Sequence, residues 1–359
     1  MNSFSSAQNK KIKPSHTLWL RAGSYSLLLG RRPSILTAVL AIAVIVLGIY
    51  GLGIGGSSIG HREVFDVMTG AGKRGHQFII FEWRIPRTLA AITVGIALGV
   101  SGSIFQTITQ NPLGSPDLIG FTAGAQTGIL VAIIFVGNSL ATITAFSLVG
   151  GILTGAVIYS ISIVRGGLGK LRLILSGIAI SSMLGSFNRW LIIQADSDTA
   201  YGAMKSVTGT LAKVSWEVAL PCMAGIALVV SATLFFKKTL DLLSLGSETS
   251  ITLGVNSNVS QGLLVLLGVC LVAFSTIVAG PISFIALLAP HIARSISDTP
   301  RAPLLVSGLV GALLLTSADL LSQSFFENLP VGIVTAAIGG LYFIGLLISE
   351  ARKNNERTL

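Results

Sequence analysis

The apolar residues of this chain fall into ten long runs, and short polar or charged segments separate the runs. Most runs hold about 20 residues, which as an α-helix match the ~30 Å hydrocarbon core of a bilayer. We therefore predict an all-α, polytopic membrane protein of about ten transmembrane helices. The predicted spans are residues 35–54, 86–108, 117–137, 141–164, 172–193, 217–236, 259–279, 281–296, 304–325 and 331–349.

The composition excludes a soluble fold. Only 11% of the 359 residues are charged and the mean hydropathy is +0.81, whereas soluble domains are about one quarter charged. The net charge of +10 does not indicate nucleic-acid binding, because the basic residues lie in short clusters between the apolar runs. Cys222 and Cys270 lie within apolar runs and have neither disulfide nor metal-site spacing.

The basic residues also predict the orientation of the chain. With a cytoplasmic N-terminus, the inner segments hold 16 Lys and Arg and the outer segments hold 8, as the positive-inside rule requires. A signal peptide is the alternative for the N-terminus, but its charged lead would be too long. We therefore predict a cytoplasmic segment at 1–33, a membrane domain at 34–350 and a cytoplasmic tail at 351–359.

The stretch from Glu82 to Gly128 has charge at one edge and a tight turn at the other. Arg84 and Arg87 precede an apolar run, and the turn at Asn111-Pro112 follows it. The excess of basic residues on the outer side includes these two arginines. Gly95, Gly99 and Gly102 lie within the run, and we predict that they allow close helix packing; a polar-lined path is the alternative.

Few titratable groups lie within the predicted spans. Asp319, in the ninth span, is the main candidate for ion coupling, but we expect it to be paired or to cap a helix. His291, near the end of the eighth span, is expected to be structural. No phosphate-binding loop, metal cluster or catalytic cluster is found in the sequence, so we predict neither an enzyme nor a bound cofactor.

The loop at about 237–258 is predicted to lie on the inner side. Ser247 is a candidate N-cap for a short helix that ends at Gly254. Leu245, Ile251 and Leu253 would be partly exposed on it. On the residues alone, such a helix could dock a partner or rest on lipid.

Several short motifs lie along the chain from about residue 35 to the end. They are Arg84-Ile-Pro-Arg87, Gln106, Asn111-Pro-Leu113, Gly124-Ala125, the loop with Leu245-Gly-x-Glu248 and Leu253-Gly254, Ala279-Gly-Pro-Ile-Ser-Phe-Ile285, Pro290-His-Ile-Ala-Arg294, Ala318-Asp319 and Leu329-Pro-Val-Gly332. Taken together, these motifs resemble the FecCD/BtuC-type permease subunits of bacterial ABC importers for iron-siderophores, haem and vitamin B12. The fuller matches EWRIPR, NPLGSPDLIGF and AGPISFIALLAPHIARSIS are most similar to G-type permeases for ferric enterobactin, a catecholate siderophore.

This resemblance implies a BtuC-like type II permease in the bacterial inner membrane and roles for its residues. Arg84 and Arg87 match outer arginines that receive acidic residues of a periplasmic binding protein; headgroup anchoring is the alternative. A further basic position of some relatives is Gln323 here, which would leave the docking set incomplete. The residues that match the ATPase coupling loop are Leu245, Gly246, Ser247, Glu248, Leu253 and Gly254.

The resemblance also implies partners. We expect a second, homologous permease subunit in a heterodimer, two copies of a cytoplasmic ATPase that uses ATP and Mg, the binding protein, a ferric siderophore and membrane lipid. Import of haem or vitamin B12, or ion-coupled secondary transport, is the alternative. The gate hydroxyls of the vitamin B12 relative are not found at 167–170. The residues expected to line the path are Gln106, Asn111, Ser176, Ser181, Ser182 and Thr335.

Overall fold

The computed structural model describes residues 17–22, 25–55, 59–164, 167–206, 208–212, 214–297, 303–325 and 329–357. A π-helical turn, Ile79–Arg84, joins the helix Arg74–Phe78 to the helix Ile85–Thr109, and a second one, Ala132–Val136, extends the helix Phe121–Val131. The α-helices are α1 Arg31–Gly51, α2 His61–Met68, α3 Arg74–Phe78, α4 Ile85–Thr109, α5 Pro116–Ile119, α6 Phe121–Val131, α7 Leu140–Ser162, α8 Lys170–Gln194, α9 Ser197–Ser206, α10 Trp216–Phe235, α11 Lys237–Leu243, α12 Ser247–Thr252, α13 Ser257–Ala279, α14 Ile285–Ser297, α15 Leu304–Phe325 and α16 Val331–Arg357.

Each of the ten predicted spans corresponds to a helix. Among the described residues, 7 helices are long and apolar enough to cross a membrane. Shorter apolar helices at Phe121–Val136, Ile285–Ser297 and Val331–Gly345 account for the other three predicted runs. The prediction of an all-α membrane protein is therefore confirmed.

Two short antiparallel hairpins were not expected from the sequence. One joins β1 Thr17–Ala22 to β2 Tyr25–Gly30, within the predicted N-terminal segment. The other joins β3 Ile163–Val164 to β4 Gly167–Leu168, in the connection between α7 and α8. In both, strand pairing satisfies backbone N–H and C=O groups that lie outside any helix.

The turn after α4 has the form that the Asn-Pro motif predicts. Gln110 ends the helix in a left-handed conformation, with φ of 49°. The Asn111 Oδ1 atom then accepts a hydrogen bond from the Leu113 N–H at 2.9 Å, which is an Asx turn. Ser115 caps α5 by accepting from the Leu118 N–H at 3.3 Å.

Helix α4 lies at the centre of the bundle and is buried along most of its length. Its glycines touch the backbones of neighbouring helices. A Cβ atom on Gly95 would lie 2.5 Å from the Gly311 carbonyl oxygen, and one on Gly99 would lie 2.1 Å from the Ser307 carbonyl oxygen. The glycine stripe is thus a packing surface for α15, as predicted, and Gly102 makes an equivalent contact with α14.

We expect Gly99→Ala to lower the free energy of unfolding by about 1–3 kcal/mol, because the added methyl group must push α15 away. Thermal unfolding in detergent micelles measures the effect. Gly185→Ala, on α8, is the matched control, since a Cβ atom there meets nothing within 4 Å. Equal melting temperatures for the two variants would contradict the packing assignment.

Candidate functional site

One end of the bundle holds a buried ion pair, which we call the Arg87 cluster: Arg87, Asp319 and Gln323. The Arg87 guanidinium binds the Asp319 carboxylate with two nitrogens, Nη2 at 2.8 Å from Oδ1 and Nε at 3.1 Å from both oxygens. The side chains of Arg87 and Asp319 are only 14% and 4% exposed. The Gln323 Nε2 atom donates to Asp319 Oδ2 at 2.8 Å. The cluster fastens α4 to α15, and the predicted pairing of Asp319 is confirmed.

Arg84 lies one turn earlier and is enclosed by backbone carbonyls. Its Nη1 atom donates to the carbonyl oxygens of Leu52, at 2.5 Å, and Ile59, at 3.0 Å. The residue that follows Ile59, Gly60, is the N-cap of α2 and donates its N–H to Glu63 Oε2 at 2.9 Å. Hydrogen bonds from the backbone N–H groups of Glu63 and Gly60 lower the pKa of the Glu63 carboxyl. Arg84 therefore holds the segment after α1 against the start of α4.

These contacts correct the expectation of two outward-facing arginines. Arg84 is 8% exposed and its guanidinium is bonded to carbonyl oxygens inside the chain. Arg87 keeps a small exposed fraction beside Asp319. The sequence shows that two arginines lie near the start of α4. Whether their side chains face solvent depends on residues that are distant in the sequence and contact them in the fold. Docking of a binding protein through these residues stays a prediction.

The opposite end of α4, about 36 Å away at 1.5 Å per residue, approaches the predicted coupling loop. There α11 ends at Leu243 and α12 begins after Gly246. Gly246 has a φ of 103° and is the N-cap, so the prediction that Ser247 caps this helix is wrong; Ser247 is its first residue. A turn with that φ favours glycine, which has no Cβ to clash.

The coupling loop exposes apolar side chains. Leu245 is 60% exposed, and Ile251 and Leu253 are each 56% exposed. Gly254 follows α12 with a φ of 82°, which agrees with the predicted stop. The side chains of Ser247 and Glu248 lie outside those that the structure describes. Exposed aliphatic groups of this kind are typical of a helix that docks a partner or rests on lipid, rather than of a solvated loop.

Gln110 connects the coupling loop to the start of α8. Its Oε1 atom accepts a hydrogen bond from Lys170 Nζ. Its Nε2 atom donates to the Leu243 carbonyl oxygen at 3.4 Å. Sequence reasoning missed both contacts, because the partners are 60 and 133 residues away from Gln110 and no local pattern pairs them.

The residues expected to line a path do not form one surface. Gln106 is buried: its Nε2 atom donates to the Leu287 carbonyl oxygen at 2.9 Å, and its Oε1 atom accepts from Arg294. Thr335 is 2% exposed and its hydroxyl donates to the Gly332 carbonyl oxygen. Both side chains lie in the interior of this single chain, so their place on a path stays a prediction.

The serines of α8 that are expected to line a path are more exposed than Gln106 and Thr335. Ser182 is exposed and Ser181 is half-buried, so a path along α8 stays a prediction for them. Ser176 is half-buried and its hydroxyl lies 3.2 Å from the Ser162 hydroxyl. Asn111 has its side chain in the Asx turn.

His291 has the structural role that was expected for it. Its Nδ1 atom lies 2.8 Å from the Tyr342 hydroxyl, which links α14 to α16. The described residues contain no group of three or more His, Cys, Asp and Glu that could hold a metal ion.

This chain is similar to known transport proteins. The sequence profile of the FecCD transport family matches residues 42–349. The chain is 44% identical over 293 residues to the ferric enterobactin transport system permease protein FepG of Escherichia coli (strain K12), covering 81% of this chain and 88% of FepG. It is 34% identical over 283 residues to the Fe(3+) dicitrate transport system permease protein FecD of the same organism, covering 76% and 86%.

A solved structure has the same fold. A metal-chelate type ABC transporter in an inward-facing conformation aligns with a TM-score of 0.77 and 29% identity. The alignment covers 89% of this chain and 99% of that chain. The helical arrangement described above is therefore that of an ABC transporter membrane subunit.

A double-mutant cycle tests whether the ion pair between Arg87 and Asp319 stabilises the fold. We expect Arg87→Met and Asp319→Leu each to lower the free energy of unfolding by about 3 kcal/mol, because each removes one partner of a largely buried ion pair. The double variant should lose less than either single variant. Chemical unfolding in detergent micelles, followed by tryptophan fluorescence, measures all three. Arg74→Met, at the exposed start of α3, is the control, and additive losses in the double variant would contradict the pairing.

Proposed function

This chain belongs to the FecCD transport family, and on that basis we propose that it is the permease subunit of an ATP-driven importer that moves a ferric siderophore from the periplasm to the cytoplasm. The observation that carries this proposal is the similarity to FepG over most of both chains. We infer a catecholate siderophore of the enterobactin type as the substrate. The chain itself translocates and does not hydrolyse ATP.

The coupling loop supports an ATPase as partner. Leu245, Ile251 and Leu253 present aliphatic groups next to the turn at Gly246. Fully solvated loops rarely expose three such groups together, whereas docking helices bury them in a partner's groove. We infer that α12 inserts into a cytoplasmic ATPase subunit, and that two ATPase copies serve a heterodimer of permease chains.

The orientation of the chain follows from this assignment. If the coupling loop faces the cytoplasm, then the Arg87 cluster lies toward the periplasm and both termini lie in the cytoplasm. The binding protein would then approach the end that holds Arg87. Because Arg84 is enclosed by carbonyl oxygens, Arg87 is the arginine through which a carboxylate of the binding protein could act, in exchange for Asp319.

Transport requires two states of the permease that differ in their contacts with partners and substrate. ATP binding and hydrolysis would shift the chain between outward-open and inward-open states by changing the position of α12. The loaded binding protein must favour one of these states through contacts absent from the other, because equal affinity for both shifts nothing. A bulky ferric siderophore predicts a wide path between two permease chains, with α8 and Ser182 on its wall.

The proposed function is tested by the ATPase activity of the assembled complex in lipid nanodiscs. We expect binding protein loaded with ferric enterobactin to stimulate ATP hydrolysis several-fold over unloaded binding protein. Ferric hydroxamate and haem, each with the same binding protein, serve as substrate controls. Stimulation by haem but not by the catecholate would contradict the substrate assignment, and a chain that never co-purifies with an ATPase would contradict the importer.

The coupling loop is tested by its exposed aliphatic residues. We expect the double variant Ile251→Asp and Leu253→Asp to lose at least about tenfold in affinity for the ATPase, because two carboxylates would be buried in an apolar groove. The matched control exchanges the same residues for other aliphatic ones, Ile251→Leu and Leu253→Ile. Co-purification from membranes measures both. Equal recovery of ATPase with the charged and the aliphatic variants would place the interface elsewhere.

A further inference from the structure

Gln110 has an unusual backbone and a side chain that bridges three elements. Its φ of 49° lies in the left-handed region, which costs free energy for a residue other than glycine. The side-chain amide joins α4 to the first residue of α8 through Lys170 and to the last residue of α11 through the Leu243 carbonyl oxygen. We call these three residues the polar joint.

The stability of α8 does not explain why its first residue is a lysine. Lys170 is that residue, and a positive charge at a helix N-terminus faces the positive end of the helix dipole. An acidic or neutral residue would suit that position better. The Lys170 ammonium group instead donates to the Gln110 Oε1 atom. Lys170 thus joins the start of α8 to the end of α4, in addition to the positive charge that it adds on the inner side.

The same amide lies against the turn that positions α12. The Leu243 carbonyl oxygen accepts from Gln110 Nε2 and also from the Gly246 N–H, which lies 3.1 Å away. A Cβ atom on Gly246 would lie 3.6 Å from Gln110 Nε2. A displacement of the turn between α11 and α12 must therefore move the Gln110 amide or break its bond to Leu243.

We propose that Gln110 and Lys170 are positioning residues that transmit movement of α12 to the start of α8. The inference rests on the proposed function, in which the ATPase moves α12 and α8 borders the path. Movement of the turn at Gly246 shifts the Gln110 amide, and the bond to Lys170 carries that shift to the first turn of α8. Because Gln110 is exposed, its replacement leaves the core intact.

The test is the amount of ferric siderophore imported per ATP hydrolysed by the complete transporter in proteoliposomes. We expect Gln110→Leu and Lys170→Met each to lower this ratio by about fivefold, with ATPase association and folding unchanged. A purely structural role would lower uptake and hydrolysis together and leave the ratio constant. The exchanged double variant, Gln110→Lys with Lys170→Gln, restores an ammonium–amide hydrogen bond and should recover the ratio.

Two further variants distinguish the roles of the two hydrogen bonds in the polar joint and of the charge at the start of α8. Gln110→Glu keeps an acceptor for Lys170 but removes the donor to Leu243, so it should uncouple α12 while α4 and α8 stay joined. Arg172→Met, in the same first turn of α8 and exposed, is the control for loss of positive charge and should leave the ratio unchanged. Normal ratios in both Gln110→Leu and Lys170→Met would overturn the joint while leaving the importer intact. Absence of ATP-driven uptake by the unmodified transporter would instead overturn the proposed function.

Discussion

The close contact of α4 with α14 and α15 is the constraint on which the rest of this structure depends. At Gly95, Gly99 and Gly102 the neighbouring backbones leave no room for a Cβ atom. In a bilayer the hydrophobic effect does not drive helices together. Dispersion contacts at such short distances therefore supply much of the free energy of helix association. As a result, α4 is enclosed for most of its length and forms a fixed connection between the two ends of the bundle.

The side chains near the two ends of α4 have different surroundings. At one end, the charges of Arg84 and Arg87 are satisfied within the chain by carbonyl oxygens and by Asp319, as a low-dielectric surrounding requires. At the other end, the coupling loop leaves Ile251 and Leu253 exposed. At the first end the two arginine side chains are bonded within the chain, whereas the second end exposes the aliphatic groups through which we propose that the ATPase acts. This asymmetry fits a subunit that is driven from one side.

The sequence predicts those features that depend on local pattern. Apolar runs of helix length locate all ten spans, and the glycine stripe and the Asn-Pro turn have local causes. The inward positions of Arg84 and Arg87 could not be predicted in this way, because Asp319 lies 232 residues from Arg87. The cap at Gly246 depends on a φ that the residue order does not reveal. The burial of Gln106 and Thr335 could not be predicted from residue type, because polar side chains within a bundle can also bond to carbonyl oxygens inside it.

We propose that this chain carries a ferric catecholate siderophore across the membrane in transport that is driven by ATP hydrolysis. The most direct measurement is accumulation of radioactive iron, supplied as ferric enterobactin on its binding protein, in proteoliposomes that contain this permease, its partner permease and the ATPase. We expect uptake that requires ATP on the ATPase side and that persists when proton and sodium gradients are collapsed. Uptake that follows an ion gradient and continues without ATP would contradict the proposal.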